Sequence, residues 1–206
     1  MIMKDKIIIA LTSISLLTLL FFTGCAKYNA DTLPLLQNSS AQYSQTEKEI
    51  TVYCKAFTTG DCMRYLDRNV LKEGYQPIQI SIQNDSDHVL YFSQEGFGLP
   101  TVAPESVAKK VHTSTIGRAA GWGVGGLFIW PLFIPAIVDG IGSANANVQL
   151  DRDFAEKTMR GQPILPHTRI NGLVFVPKPD FKENFTISLQ DQSNEEKINF
   201  QVGVQR

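Results

Sequence analysis

Polar and apolar residues alternate over several short stretches of this chain. Ile50, Val52, Cys54 and Ala56 fall on one face of an extended segment, and Thr51, Tyr53 and Lys55 on the other. That period of two predicts a strand with one buried side over 50–57. It recurs in Phe185 to Gln190 and in Lys197 to Val204, with Asp191 to Asn194 as the turn between them. Arg169 to Pro177 has an apolar centre bounded by Pro166 and Pro177. Pro77 to Ile82 and His88 to Phe92 are also strand-like, and Asn84-Asp85-Ser86-Asp87 between them predicts a β-hairpin with a polar turn. Thr58 and Asp61 have the spacing of a capping box. Met63, Leu66 and Val70 then give an apolar stripe to a helix over about Asp61 to Lys72, with Gly74 as its stop. Gln94 to Thr101 reads as a loop. Several short antiparallel strands with turn signals predict a β-sandwich.

One stretch breaks this pattern. Ala119 to Val138, AAGWGVGGLFIWPLFIPAIV, carries no charge until Asp139 follows it. At about 20 residues it is long enough to cross a bilayer core as a helix. Gly121, Gly123, Gly125 and Gly126 weaken a helix by about 1 kcal/mol each, and Pro131 and Pro135 remove backbone donors. Its nine Val, Leu, Ile and Phe residues contribute about −3 to −5 kcal/mol to insertion, which the glycines and prolines largely offset. The flanks read as two helical arms. Pro104-Glu105-Ser106 starts the first, and Ile137, Ile141, Ala144 and Val148 give helical spacing to the second. The expected insertion, about 104–160, is therefore a Gly-rich helical hairpin bent between Trp130 and Pro135. Its tip carries Trp122, Leu127, Phe128, Trp130 and Phe133. Small residues at Gly121, Gly125, Ala136, Gly140 and Ala144 suit close helix approach. Three readings follow: a tip packed on protein, a re-entrant tip in one leaflet with its indoles near the headgroups, or a full span.

The amino terminus sets the compartment. Lys4 and Lys6 precede an apolar core, Ile7 to Phe22, and then small residues, which together make a secretory signal. Phe22-Thr23-Gly24-Cys25 resembles the lipobox of bacterial envelope lipoproteins. The resemblance implies cleavage after residue 24 and acylation of Cys25, by palmitate among other chains, and hence a lipid anchor on a membrane. In lipoproteins of enteric bacteria an Asp after the cysteine favours inner-membrane retention, so with Ala26 there the resemblance implies the outer membrane, facing the periplasm or the cell surface. Residues 25–49 are polar and read as a lipidated tether, leaving 50–206 as the sandwich domain with its insertion. Leu33-Pro34-Leu35-Leu36 is the part of the tether suited to docking.

Pro166 to Val204, with Gly172-Leu173-Val174-Phe175-Val176-Pro177 and a closing hairpin, resembles the last strands of small immunoglobulin-like domains in exported lipoproteins. The expected class is thus α+β, mainly an antiparallel immunoglobulin-like β-sandwich. If the strands before and after the insertion share one sandwich, they share one compartment, and a single span through 119–138 is excluded. Of the three cysteines, Cys54 and Cys62 remain once Cys25 is acylated. An even pair in an exported chain suggests a disulfide, the alternative being two free buried thiols.

Composition adds exclusions. The formal net charge is −1 with no basic surplus, so nucleic acid is not an expected partner. His88, His112 and His167 lack further ligands at metal spacing, although Asp85 and Asp87 precede His88. Gly121 to Gly126 lacks the strand and the Lys-Ser/Thr ending of a phosphate loop, and no nucleophile elbow occurs. Lys109 and Lys110 read as a solvated helix face. No cofactor and no enzymatic activity are expected. The expected role is a binding or structural module that assembles with itself or with an envelope complex. The alternative is a membrane-active protein whose hairpins oligomerise across a bilayer.

Overall fold

The computed structural model of the chain describes residues 27–112 and 133–205, the side chains of 133–143 excepted. Residues 29–112 and 150–206 form one compact unit, here called the body; residues 1–28 and 113–149 group separately.

The body holds two four-stranded antiparallel sheets. The first runs β1 (Tyr43–Glu47), β2 (Ile50–Ala56), β3 (Tyr75–Asn84), β6 (Thr168–Pro177), in that order. The second runs β5 (Gln162–Ile164), β4 (Leu90–Phe97), β7 (Asn184–Asp191), β8 (Lys197–Gly203). The alternating residues of β2, β7 and β8 turn their apolar sides inward, as their period requires. Val52, Ile80, Ile82, Val174, Phe92, Ile187, Leu189 and Phe200 from both sheets interdigitate in one core. The body is a β-sandwich.

The first sheet is buried on both faces at β3 and over the second half of β6, so β3 shows no alternation in burial. Three short pieces cover its outer face. One is α1 (Thr59–Leu66), which starts from the capping box that the sequence predicts: Asp61 N–H donates to the Thr58 hydroxyl, and Thr58 N–H to the Asp61 carboxylate. The second is α2 (Pro104–Lys110), with Pro104 in its first turn. The third is the end of α3 (Phe133–Lys157). Phe154 of α3 stacks on Phe175 of β6, with centroids 5.6 Å apart and planes at 4°. The free edge of β6 is closed by two isolated bridges, Val102 N–H to Phe175 O and Met159 N–H to Leu173 O, both at 2.8 Å. At the second bridge the chain passes so close that a Cβ on Gly172 would sit 2.9 Å from Met159 N, so only glycine fits there.

Four expectations change. Asn84 to Asp87 is not a hairpin turn: β3 and β4 lie in different sheets, and the segment is an arch between them. Asn84 is buried there and its amide bonds the carbonyls of His88, Ile164 and Leu165, so the polar cluster supplies partners for a crossing backbone rather than a two-residue turn. The segment read as a tether joins the body before residue 50, because Tyr43–Glu47 pairs with β2 and Leu36 is buried. Gln94 to Phe97 continues β4 past a register shift, where the sequence suggests a loop. The helix after Thr58 ends at Leu66, with Asp67 in the left-handed region at φ 48°, and turns fill the stretch to Gly74.

The disulfide is also corrected. Cys54 and Cys62 are both free and buried, and not at bonding distance. Cys54 points from β2 into the core between the sheets, opposite Ile80. Cys62 of α1 is buried outside that core, hydrogen-bonded to the backbone of Leu71 and Val70, and the two thiols do not meet.

Candidate functional site

Residues 113–149, which contain the apolar run, depart from and rejoin the body at one corner, and the body residues that hold this corner form the candidate site. Val107 and Ala108 of α2 are buried, while Glu105, Ser106, Lys109 and Lys110 are exposed. This places one face of α2 on the sheet and leaves its two lysines in solvent at the departure point. On the returning side Leu150 and Phe154 are fully buried, so the last two turns of α3 belong to the body's core.

The two ends are tied together directly. His112 Nε2 lies 2.6 Å from Asp151 Oδ1. Arg68 Nε donates to Val111 O at 3.2 Å, and Arg68 Nη1 pairs with Asp67 at 2.9 Å. Lys157, nearly buried, donates to Asp31 O (2.8 Å), Tyr65 O (2.7 Å) and Asp153 Oδ2 (2.7 Å), which joins α3 to α1 and to the amino-terminal segment. The corner is a collar of charge-assisted bonds, the stronger class of hydrogen bond. It fixes where the chain leaves and where it returns. It presents no nucleophile beside a base.

Two other histidine–carboxylate contacts lie on the body. His88 Nδ1 is 2.6 Å from Asp191 Oδ2, and His167 Nε2 is 3.2 Å from Asp87 Oδ1. The hydrogen bond and charge of Asp191 raise the His88 pKa above its ordinary value, and the hydrogen bond from His88 holds Asp191 below the carboxylate range. Among the described residues no three His, Cys, Asp or Glu side chains are placed to share a metal. Burial raises the Cys54 thiol pKa and pushes Cys62 up to about 12, so neither is a ready thiolate. A depression of about 370 Å³ between the end of α3 and β6, lined by Glu156, Arg160 and Asn171 among others, opens widely to solvent.

Comparison with protein-family models, with curated proteins and with solved structures finds no match to this chain. The site is therefore read from its own geometry.

Of the residues singled out by sequence, Cys25, Trp122, Leu127, Phe128 and Trp130 lie outside the described residues. Phe133 opens α3, and its side chain is likewise not described. Among the described residues no helix is long and apolar enough to cross a membrane. The strands before and after the insertion share one sandwich, so they lie in one compartment. The collar itself was missed by sequence reasoning. Asp67, Arg68, His112 and Asp151 are single polar residues in no periodic pattern, and only their position at the limits of the insertion hints at them.

Proposed function

We propose that this chain is an exported envelope lipoprotein, acylated at Cys25, whose sandwich is a stand for the apolar stretch 119–138. On this reading the stretch is a helical hairpin. Its tip, with Trp122, Leu127, Phe128, Trp130 and Phe133, enters one leaflet of a bilayer. The observation that carries the reading is the 2.6 Å contact between His112 and Asp151. A segment whose two ends are clasped together returns to where it started, as a hairpin does and a single span does not. The uncharged composition of 119–138 and the bend at Pro131 and Pro135 support the same reading. So does the amino-terminal signal with its lipobox-like end, and Ala26 favours the outer membrane. An immunoglobulin-like sandwich is part of this reading, and the two four-stranded antiparallel sheets, β1-β2-β3-β6 and β5-β4-β7-β8, support it.

The test is liposome co-sedimentation of a non-lipidated Cys25→Ser protein, with and without Leu127→Asp and Phe133→Asp. Each aspartate costs about 2.5–3.5 kcal/mol near the bilayer centre, so the double variant should fold and lose membrane binding. If it unfolds, the run packs on the body. If it folds and binds as before, the tip does not enter lipid. If it folds but loses an oligomer that the parent forms in detergent-free buffer, the run is an assembly surface. Leakage of vesicle contents by the parent would favour hairpins that assemble across the bilayer. Labelling with radioactive palmitate, abolished by Cys25→Ser, tests the anchor.

A further inference from the structure

We infer that the corner of the body around Asp67 and Arg68 is the surface that faces the bilayer, held flush against it by a leash of only a few residues. The inference rests on acylation at Cys25 and deepens that reading. Its observation is where the amino-terminal segment first meets the body. Asn29 N–H donates to Asp67 Oδ2 at 3.1 Å, and Asp31 N–H to Arg64 O at 2.9 Å. The Asp31 carboxylate pairs with Arg64 at 2.9 Å, and its carbonyl accepts from Lys157. Further along, Pro34 O accepts from Gln79 and Asn171, Leu36 O accepts from Arg169, and the Leu36 side chain is buried. Residues 29–36 are thus a strap along the helical side of the first sheet, and they are spent on the body. The chain from Cys25 to Asn29 can span at most about 14 Å.

The second exit lies beside the first. Asp67 takes the strap at Asn29, and its neighbour Arg68 holds Val111 O, the last turn before residues 113–149. The acylated end and the apolar run therefore leave the body from two adjacent residues at the end of α1. Both of the chain's lipid-seeking elements emerge at this corner. Lys109 and Lys110 are exposed beside the second exit and suit a surface of anionic headgroups; the exposed carboxylates nearby are paired, Asp31 with Arg64, Glu105 with Arg160 and Asp151 with His112. The outer face of the second sheet, on the other side of the sandwich, then points away from the membrane.

The experiment uses the full-length acylated protein in vesicles of phosphatidylethanolamine and phosphatidylglycerol carrying a headgroup-attached quencher. A fluorophore is placed on Lys109→Cys at the corner or on Lys197→Cys at the start of β8. Cys25 is blocked by its lipid, and Cys54 and Cys62 are buried and stay unlabelled. The corner label should lose most of its emission and the β8 label should keep it. Equal quenching of the two, or stronger quenching on β8, in protein that carries palmitate overturns the orientation and leaves the anchor standing. Protein without palmitate overturns the anchor and this inference with it. A second arm inserts about twenty Gly/Ser residues between Ala26 and Lys27, adding roughly 25 Å of reach, in the Leu127→Asp, Phe133→Asp background. Quenching at the corner should then be relieved; undiminished quenching would show that a protein partner or another part of the body, not the short leash, holds the corner down.

Discussion

Removing the amide of Asn84 should cost more stability than almost any other single polar change in this protein. Its Nδ2 is within bonding range of the carbonyls of His88 (2.7 Å), Leu165 (3.2 Å) and Ile164 (3.3 Å). Its Oδ1 accepts from Ser86 N (3.2 Å) and Ser86 Oγ (2.6 Å). An amide has two N–H groups, so two of the three carbonyls are satisfied at a time. Four bonds at about 0.5–1.5 kcal/mol each give roughly 2–6 kcal/mol, and Asn84→Ala also leaves buried carbonyls unpaired, which places the expectation at about 3–4 kcal/mol. Asn84→Asp should do similar harm: it keeps size and acceptor but turns the donor into an oxygen facing carbonyls. The assay is urea unfolding of the Cys25→Ser protein, followed by far-UV circular dichroism. Asp85→Ala, on the exposed part of the same arch, is the control and should change stability by less than about 0.5 kcal/mol. If Asn84→Ala also costs under about 1 kcal/mol, the amide does not organise the crossing between the sheets.

Phe154→Ala should destabilise by about 3–5 kcal/mol, because it empties a fully buried site and removes the stack on Phe175; a loss under about 1 kcal/mol would mean that the end of α3 is not part of the folding unit. Protein purified without reductant should yield two free thiols, at Cys54 and Cys62, only after denaturation; a mass lower by one disulfide would contradict the placement of Cys54 inside the core and Cys62 outside it. The His88–Asp191 pair should make stability depend on pH in both directions. His88 is raised when folded, so its contribution is complete below its ordinary value of about 6.5 and fades as pH rises through the raised one. Asp191 is lowered, so its contribution is complete above the ordinary carboxylate range and fades as pH falls through the lowered one. The urea midpoint should therefore fall between about pH 5.5 and about pH 9, and His88→Ala should reduce that fall; an unchanged fall would assign the pH dependence to other groups.

The sequence by itself determined most of the β-structure. Six of the eight strands among the described residues are legible in the sequence, β2, β7 and β8 through period two, β6 through an apolar centre between prolines, and β3 and β4 as strand-like runs, because a half-buried strand alternates apolar with polar residues. It also determined the start of α1, since Thr58 and Asp61 satisfy each other over three residues, and the start of α2 at Pro104. Such features are local. The short strands β1 and β5 were not legible, because each is held by its neighbour's backbone and not by its own pattern.

Only the tertiary structure decided which partners the polar residues take. Asn84 to Asp87 has turn chemistry whether it closes a hairpin or arches between sheets, and the choice depends on β4 finding β7 across the sandwich. Cys54 and Cys62 are close in sequence, yet the intervening chain carries Cys62 out of the core that holds Cys54, so proximity along the chain does not become proximity in space. The polar stretch before residue 43 looks like a tether because its own side chains are undemanding. It is fixed because Gln79, Lys157, Arg169 and Asn171, distant in sequence, donate to its carbonyls. The collar at Asp67, Arg68, His112 and Asp151 is invisible for the same reason: each residue is unremarkable until the fold sets it against another 38 to 43 positions away.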